Sequence, residues 1–176
     1  TMQIEKALPA DLWNKLADED GILDQLCALP EAEVRSRYHL KGFGARQPVS
    51  SQLRLFRAIV LLLGNTGLRR EEVAFAYRRN LQPYPQEPGI WRLAVLGKRS
   101  KWRFVYPSDR EINAIRAHWA DRGDDFSFGM SDIPLLSPVI IPPTGLSLTK
   151  HGDGSGHTSG KGFTGRHLYL SHQLAE

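Results

Sequence analysis

Thr66-Gly67-Leu68-Arg69-Arg70-Glu71-Glu72-Val73 is the stretch on which the reading of this chain turns. It follows directly on an apolar segment, residues 50–63, in which Leu53, Phe56, Val60 and Leu63 recur at a 3,4,3 spacing. Ile59 and Leu62 widen that stripe, so a half-buried helix is predicted there. Gly64-Asn65-Thr66-Gly67 is predicted to stop it, and a short helix is predicted over about 69–77. Arg69 and Glu72 are three residues apart, so on a helix they share a face. A carboxylate in that place can hold the guanidinium in one orientation. The fork can then offer two parallel N–H donors to a phosphate, and the start of a helix adds unpaired N–H groups.

Some twenty residues further on, the stretches 90–96 and 102–106 alternate apolar and polar residues around Gly97-Lys98-Arg99-Ser100-Lys101. This reads as an antiparallel hairpin with a basic tip. Pro83, Pro85 and Pro88 are expected to exclude regular structure from 80–90. Ser108-Asp109-Arg110-Glu111 fits a capping box, which predicts a helix from about 109 to Gly123 with Ile112, Ile115 and Trp119 on its apolar face. Upstream, Leu12, Trp13 and Leu16 predict a first helix behind Pro9, and Pro30 opens a second over about 30–40. Residues 41–49 read as a loop. Downstream, 135–141 is apolar but holds Pro138, so an extended edge segment is predicted. The Gly-rich stretch 151–165 reads as a mobile loop, with a last helix starting near Thr164. The predicted class is α+β, mainly helical with a small antiparallel hairpin or sheet. It is organised as a lead-in (1–49), a motif-bearing core (50–123) and a tail (124–176).

The 176 residues are 41% hydrophobic and 24% charged, ordinary for a globular chain. The longest apolar run, residues 58–63, is far short of the roughly 20 residues that span a bilayer. No basic-then-apolar leader pattern opens the chain. Cys27, the sole cysteine, cannot pair internally and fits a reducing compartment. The net charge of +4 conceals a strong asymmetry: residues 34–103 carry fifteen Lys/Arg against three Glu, a net +12. Residues 1–33 carry −6 and residues 104–176 carry −2. A basic block of that kind favours a polyanionic partner, DNA or RNA first.

The box at 66–73 and the hairpin Gly97-Lys98-Arg99-Ser100-Lys101-Trp102-Arg103, which runs on to Val105-Tyr106-Pro107, together resemble two landmarks of the tyrosine recombinase (phage-integrase) catalytic domain. The resemblance covers residues 50–120; 1–49 and 124–176 match only in general character. It implies an incomplete recombinase-like catalytic fold and DNA strand cleavage and rejoining through a 3′-phosphotyrosyl link. Arg69 is then the catalytic phosphate clamp, supported by Glu72. Lys98 matches the family lysine that protonates the leaving 5′-oxygen, with Lys101 as the alternative. Neighbouring cations lower the pKa of such a lysine. Arg70, Arg78, Arg79, Arg99, Lys101 and Arg103 are the expected DNA contacts. No metal or other cofactor is expected, since arginines carry the charge stabilisation. The partner implied is double-stranded DNA, on which the family assembles as tetramers, in a cytoplasmic setting of bacterial, phage or mobile-element origin.

The family pattern continues with an H-x-x-R box and a nucleophilic tyrosine. Here His167 is followed at the third position by Leu170, and His172 by Ala175. None of Tyr38, Tyr77, Tyr84, Tyr106 and Tyr169 follows such a box, so none is assigned as nucleophile, and the expectation is a C-terminally truncated catalytic domain. Two other patterns are weaker. Gly156-His157-Thr158-Ser159-Gly160-Lys161-Gly162 is one residue short of a P-loop and lacks its Ser/Thr. His151, His157, His167 and His172 lack zinc-ligand spacing. A catalytically silent DNA-binding relative and a protein-interaction module with a basic face are the competing readings.

Overall fold

Pro9, Pro30 and Pro48 each stand immediately before a helix, where a fixed φ suits the turn of chain and a missing N–H costs nothing. The computed structural model describes residues 8–37, 48–97 and 100–139. Contacts divide the chain into two compact units, Thr1–Leu53 and Arg54–Glu176. The elements are mixed α+β with one three-stranded antiparallel sheet. No helix among the described residues is long and apolar enough to cross a membrane.

The first unit holds α1 (Ala10–Ala17), α2 (Ile22–Ala28) and α3 (Glu31–Arg37). The helix α2 was not predicted from the sequence, and the helix opened by Pro30 ends at Arg37. Ala17, Leu23 and Val34 are buried. The next helix, α4 (Val49–Thr66), starts behind a proline that has no side-chain acceptor to cap it. Glu31 supplies the cap from a distance, its two oxygens accepting the N–H groups of Val49 and Ser50 at 2.8 Å each. Burial raises the Glu31 pKa, but the hydrogen bonds from Ser50 and Val49 outweigh it and bring the group down to about 2.

In the second unit α4 buries Leu55, Ala58, Ile59, Leu61 and Leu62. The stripe expected through Leu53, Phe56, Val60 and Leu63 is instead its shoulder, and Phe56 is exposed. The helix is apolar on most of its circumference, so spacing alone does not select the face. It also continues through Gly64-Asn65-Thr66 and ends at Gly67, whose φ of +63° lies in the left-handed region that favours glycine. The short α5 (Arg70–Ala74) follows, then a 3₁₀ turn (Arg78–Asn80).

The sheet is β1 (Leu81–Pro83), β2 (Trp91–Leu96) and β3 (Trp102–Val105), in that order. The hairpin is as predicted, with Leu96 opposite Trp102 and Leu93 opposite Val105. β1 corrects the expectation that prolines exclude structure from 80–90. Pro83 sits at the end of an outer strand, where its missing donor breaks no ladder. Leu81, Leu93, Val95 and Val105 point into the core. The last helix among the described residues, α6 (Asp109–Arg122), has the predicted capping box and an αL Gly123 after it. Ile112, Ile115 and Trp119 are all fully buried.

Arg54 forms a bidentate pair with Asp121 at 2.7 Å for both bonds, joining α4 to α6. Residues 134–137 are not an exposed edge: Leu135, Leu136 and Ser137 are buried. Their tie to the sheet side is one isolated bridge, Tyr77 to Pro134. The Leu135 carbonyl accepts the Trp119 indole N–H at 2.9 Å. The predicted Gly-rich loop and final helix lie outside the described residues.

Candidate functional site

Gly67 turns the chain out of α4 and brings Arg69 to the N-cap of α5. Arg69 therefore precedes the helix and does not ride on it. Its backbone N–H donates to Glu72 Oε2 at 2.7 Å, the returning half of a capping box. Its side chain has no acceptor to supply the other half. Arg69 Nη1 reaches Glu72 Oε1 at 3.3 Å. The Glu72 side chain is 2% exposed and the Arg69 side chain 55%.

The stronger partner of Glu72 comes from the hairpin. Arg103 Nε donates to Oε1 at 3.0 Å and Nη2 to Oε2 at 2.6 Å, a two-pronged fork-to-carboxylate pair. Nη2 also reaches the Gly67 carbonyl at 3.4 Å. Strand parity explains this. In the observed register Arg103 lies opposite Val95 and on the same side as Val105, so it points inward. The hydrogen bond from Arg103 holds the Glu72 carboxyl below its ordinary range; burial opposes it, and the Arg69 N–H and both guanidinium charges reinforce it. Gly97 permits the approach, since a Cβ there would stand 3.2 Å from Glu72 Oε1 and 3.3 Å from the Lys101 carbonyl.

The structure thus brings Arg69, Glu72 and Arg103 together around one carboxylate. Glu72 braces Arg103 with two bonds and Arg69 with one longer one. Arg103, expected as a DNA contact, spends its donors on Glu72 and Gly67. The cluster carries one net positive charge, and its most exposed member is Arg69. An anion arriving there meets a guanidinium held loosely beside one held firmly. The α5 helix has only five residues, so its N-terminus adds little to that attraction.

The remaining expected residues scatter. Arg70 is exposed, with Glu71 3.9 Å away. Arg79 pairs with Asp132, and half its side chain is in solvent. Lys101 is exposed beside the tip. Lys98 and Arg99 lie outside the described residues. Arg78 is a correction. It was expected to face DNA, but it is 5% exposed and buried as a structural cation. Its Nε donates to the Phe126 carbonyl at 2.9 Å and its Nη1 to the Leu81 carbonyl at 2.6 Å. Its guanidinium lies 4.4 Å from the Phe126 ring centre.

Two features were missed by sequence reasoning. His118 is fully buried on α6, and its Nε2 accepts the Ser137 N–H at 3.3 Å. Burial, then the Arg122 charge, lowers its pKa to about 3. Its place between Ile115 and Trp119 in the helical pattern was the available signal. The second is the Glu72–Arg103 pair, which the alternation of 102–105 would have revealed. Among the described residues no group of three His, Cys, Asp or Glu side chains is placed to hold a metal ion. No family model, no curated protein and no solved structure matches the chain.

Proposed function

We propose that this chain is the phosphate-gripping part of a tyrosine-recombinase-type catalytic domain, with Arg69 as the exposed clamp on a DNA phosphate. One observation carries the reading: the box at 66–73 and the hairpin at 97–103, far apart in sequence, meet on the Glu72 carboxylate. A guanidinium beside a buried brace suits a group on which charge builds during phosphoryl transfer. Under this reading Arg103 is a positioning residue that fixes Glu72, and Lys98 is the general acid. No H-x-x-R box occurs in these 176 residues, and under this reading none of their tyrosines is assigned as the nucleophile. The +12 block supplies the long-range attraction to duplex DNA.

Titration of a labelled duplex at several salt concentrations tests the DNA part. Affinity should fall steeply with salt, because each phosphate contact releases counterions, and Arg69→Ala should weaken it. No duplex binding at low salt would leave the protein-interaction module as the better reading. Joined to the segments that the family pattern requires, the chain should form a covalent complex with a nicked suicide duplex, and Arg69→Ala should abolish it. Duplex binding with no covalent complex would assign a silent DNA-binding relative.

A further inference from the structure

The two faces of the sheet differ in kind. Leu93, Val95 and Val105 turn inward, so Arg92 and Leu96 on β2 and Trp102 and Phe104 on β3 turn outward, with Tyr106 next in the alternation. Trp102 is 62% exposed, Phe104 52% and Tyr106 50%. Trp102 and Phe104, about 7 Å apart along an extended strand, thus stand in water on the edge strand of the sheet, and half-exposed Tyr106 follows them, edge-on to Tyr84 at 5.1 Å. Scattered apolar side chains on a surface are ordinary, but a contiguous group marks a contact site.

The charge around the rings selects the partner. Arg92 lies with its guanidinium 5.0 Å from the Phe104 ring centre. No residue of the three strands is acidic. Flat rings with a guanidinium beside them, and no carboxylate in the strands that carry them, fit a ligand that is itself flat, apolar and threaded on a negative backbone. Bases of a duplex are stacked on one another and cannot lie on these rings; those of a single strand can.

We propose that the outward face of the sheet, formed by Trp102, Phe104 and Tyr106 with Arg92, binds single-stranded DNA by stacking its bases on the rings. This face is opposite to the one that carries Arg103, so it is separate from the Glu72 cluster. The choice of DNA over RNA rests on the function proposed above; the stacking does not.

The test uses the full 176-residue chain and three labelled probes, a short oligothymidine, an oligouridine and a duplex. Trp102→Ala and Phe104→Ala should each weaken oligothymidine binding about tenfold, the scale of one lost base–ring stack, and leave duplex binding unchanged. Phe104→Leu should lose as much as Phe104→Ala, and Phe104→Tyr should keep its affinity, since the contact needs a π-face and not merely an apolar side chain. Unchanged thermal midpoints in these surface variants show that they fold. Absence of oligothymidine binding by the parent chain, or equal affinity in the alanine variants, overturns the proposal. So does tighter binding of oligouridine. Self-association in sedimentation velocity that the alanine variants abolish, with oligothymidine binding unaltered, also overturns it and assigns the face to a second copy of the chain. Arg69→Ala separates the two proposals: it should weaken duplex binding and spare the single strand.

Discussion

Glu72 is the residue on which most depends. It is buried, its charge is met by the guanidinium of neighbouring Arg69 and by that of Arg103 from the hairpin, and removal of the carboxylate leaves Arg103 without its partner. Loss of one member of a buried pair costs about 3–5 kcal/mol; Arg103 is partly exposed, so the low end applies. Glu72→Ala should therefore reduce the urea-derived unfolding free energy by about 2–3 kcal/mol. Gly97→Ala presses a methyl group against the same carboxylate and should cost about 1–2 kcal/mol. In the Glu72→Ala background it should cost less, because the nearest atom is gone, and a double-mutant cycle reads that difference directly. His118 makes a prediction of opposite chemistry. Its folded pKa of about 3 lies below the ordinary imidazole value of 6.5. Between those values the unfolded chain binds a proton that the folded chain refuses. Stability is then fully present above pH 6.5 and falls by about 1.4 kcal/mol per unit as pH drops toward 3. The loss of Glu72 pairing adds to it only at the acid end, since that group too has a lowered pKa. Unfolding free energies measured from pH 7 to 4.5 should show this slope, and a flat profile would contradict the buried neutral imidazole.

Among the elements, the caps and the turns set the boundaries. Ser108 accepts the Arg110 N–H, and Glu111 reaches back to the Ser108 N–H at 2.6 Å. Ser108→Ala should cost about 1 kcal/mol, seen as a lower thermal midpoint. At the other junction Gly67 has φ +63° and open space where a Cβ would go. Gly67→Ala should cost about 1 kcal/mol from conformation alone, and Gly67→Asn less, because asparagine tolerates that region. These junctions were largely legible from the sequence. The capping box, the hairpin and the apolar face of α6 follow from local rules that packing did not override. The errors arose where local rules conflict or say nothing. Gly64 reads as a stop, yet tertiary contacts carry α4 past it. Leu53 and Phe56 fit the helical period as well as Leu55 and Ile59 do, because α4 is apolar nearly all round. Pro83 reads as a breaker, yet the rim of a sheet has a place for it. The candidate site was half legible: Arg69 and Glu72 were singled out together, whereas Arg103 was read by its charge and not by its parity.

For the molecule as a whole, the basic block and the acidic flanks describe a chain polarised along its sequence, with fifteen of its twenty-three Lys and Arg between residues 34 and 103. Several of those cations serve the fold. Arg54 joins α4 to α6, Arg78 sits under Phe126, and Arg103 holds Glu72. The count that composition offers to a polyanion is therefore larger than the count available to it. The slope of duplex affinity against salt should accordingly correspond to fewer phosphate contacts than fifteen cations would suggest. The tie between Trp119 and residue 135 gives the same molecule an optical signature. The indole is fully buried, its N–H is held by the Leu135 carbonyl, and the Phe126 ring meets it edge-on at 5.3 Å. Trp102, by contrast, stands mostly in water. With the half-buried Trp13 and Trp91 replaced by Phe, native emission should thus contain a blue component shielded from acrylamide and a red one open to quenching. Detachment of 134–137 from α6 would move the first toward the second, and a single strand lying on the sheet would dim only the red one. One spectrum can then follow the core and the sheet face at the same time.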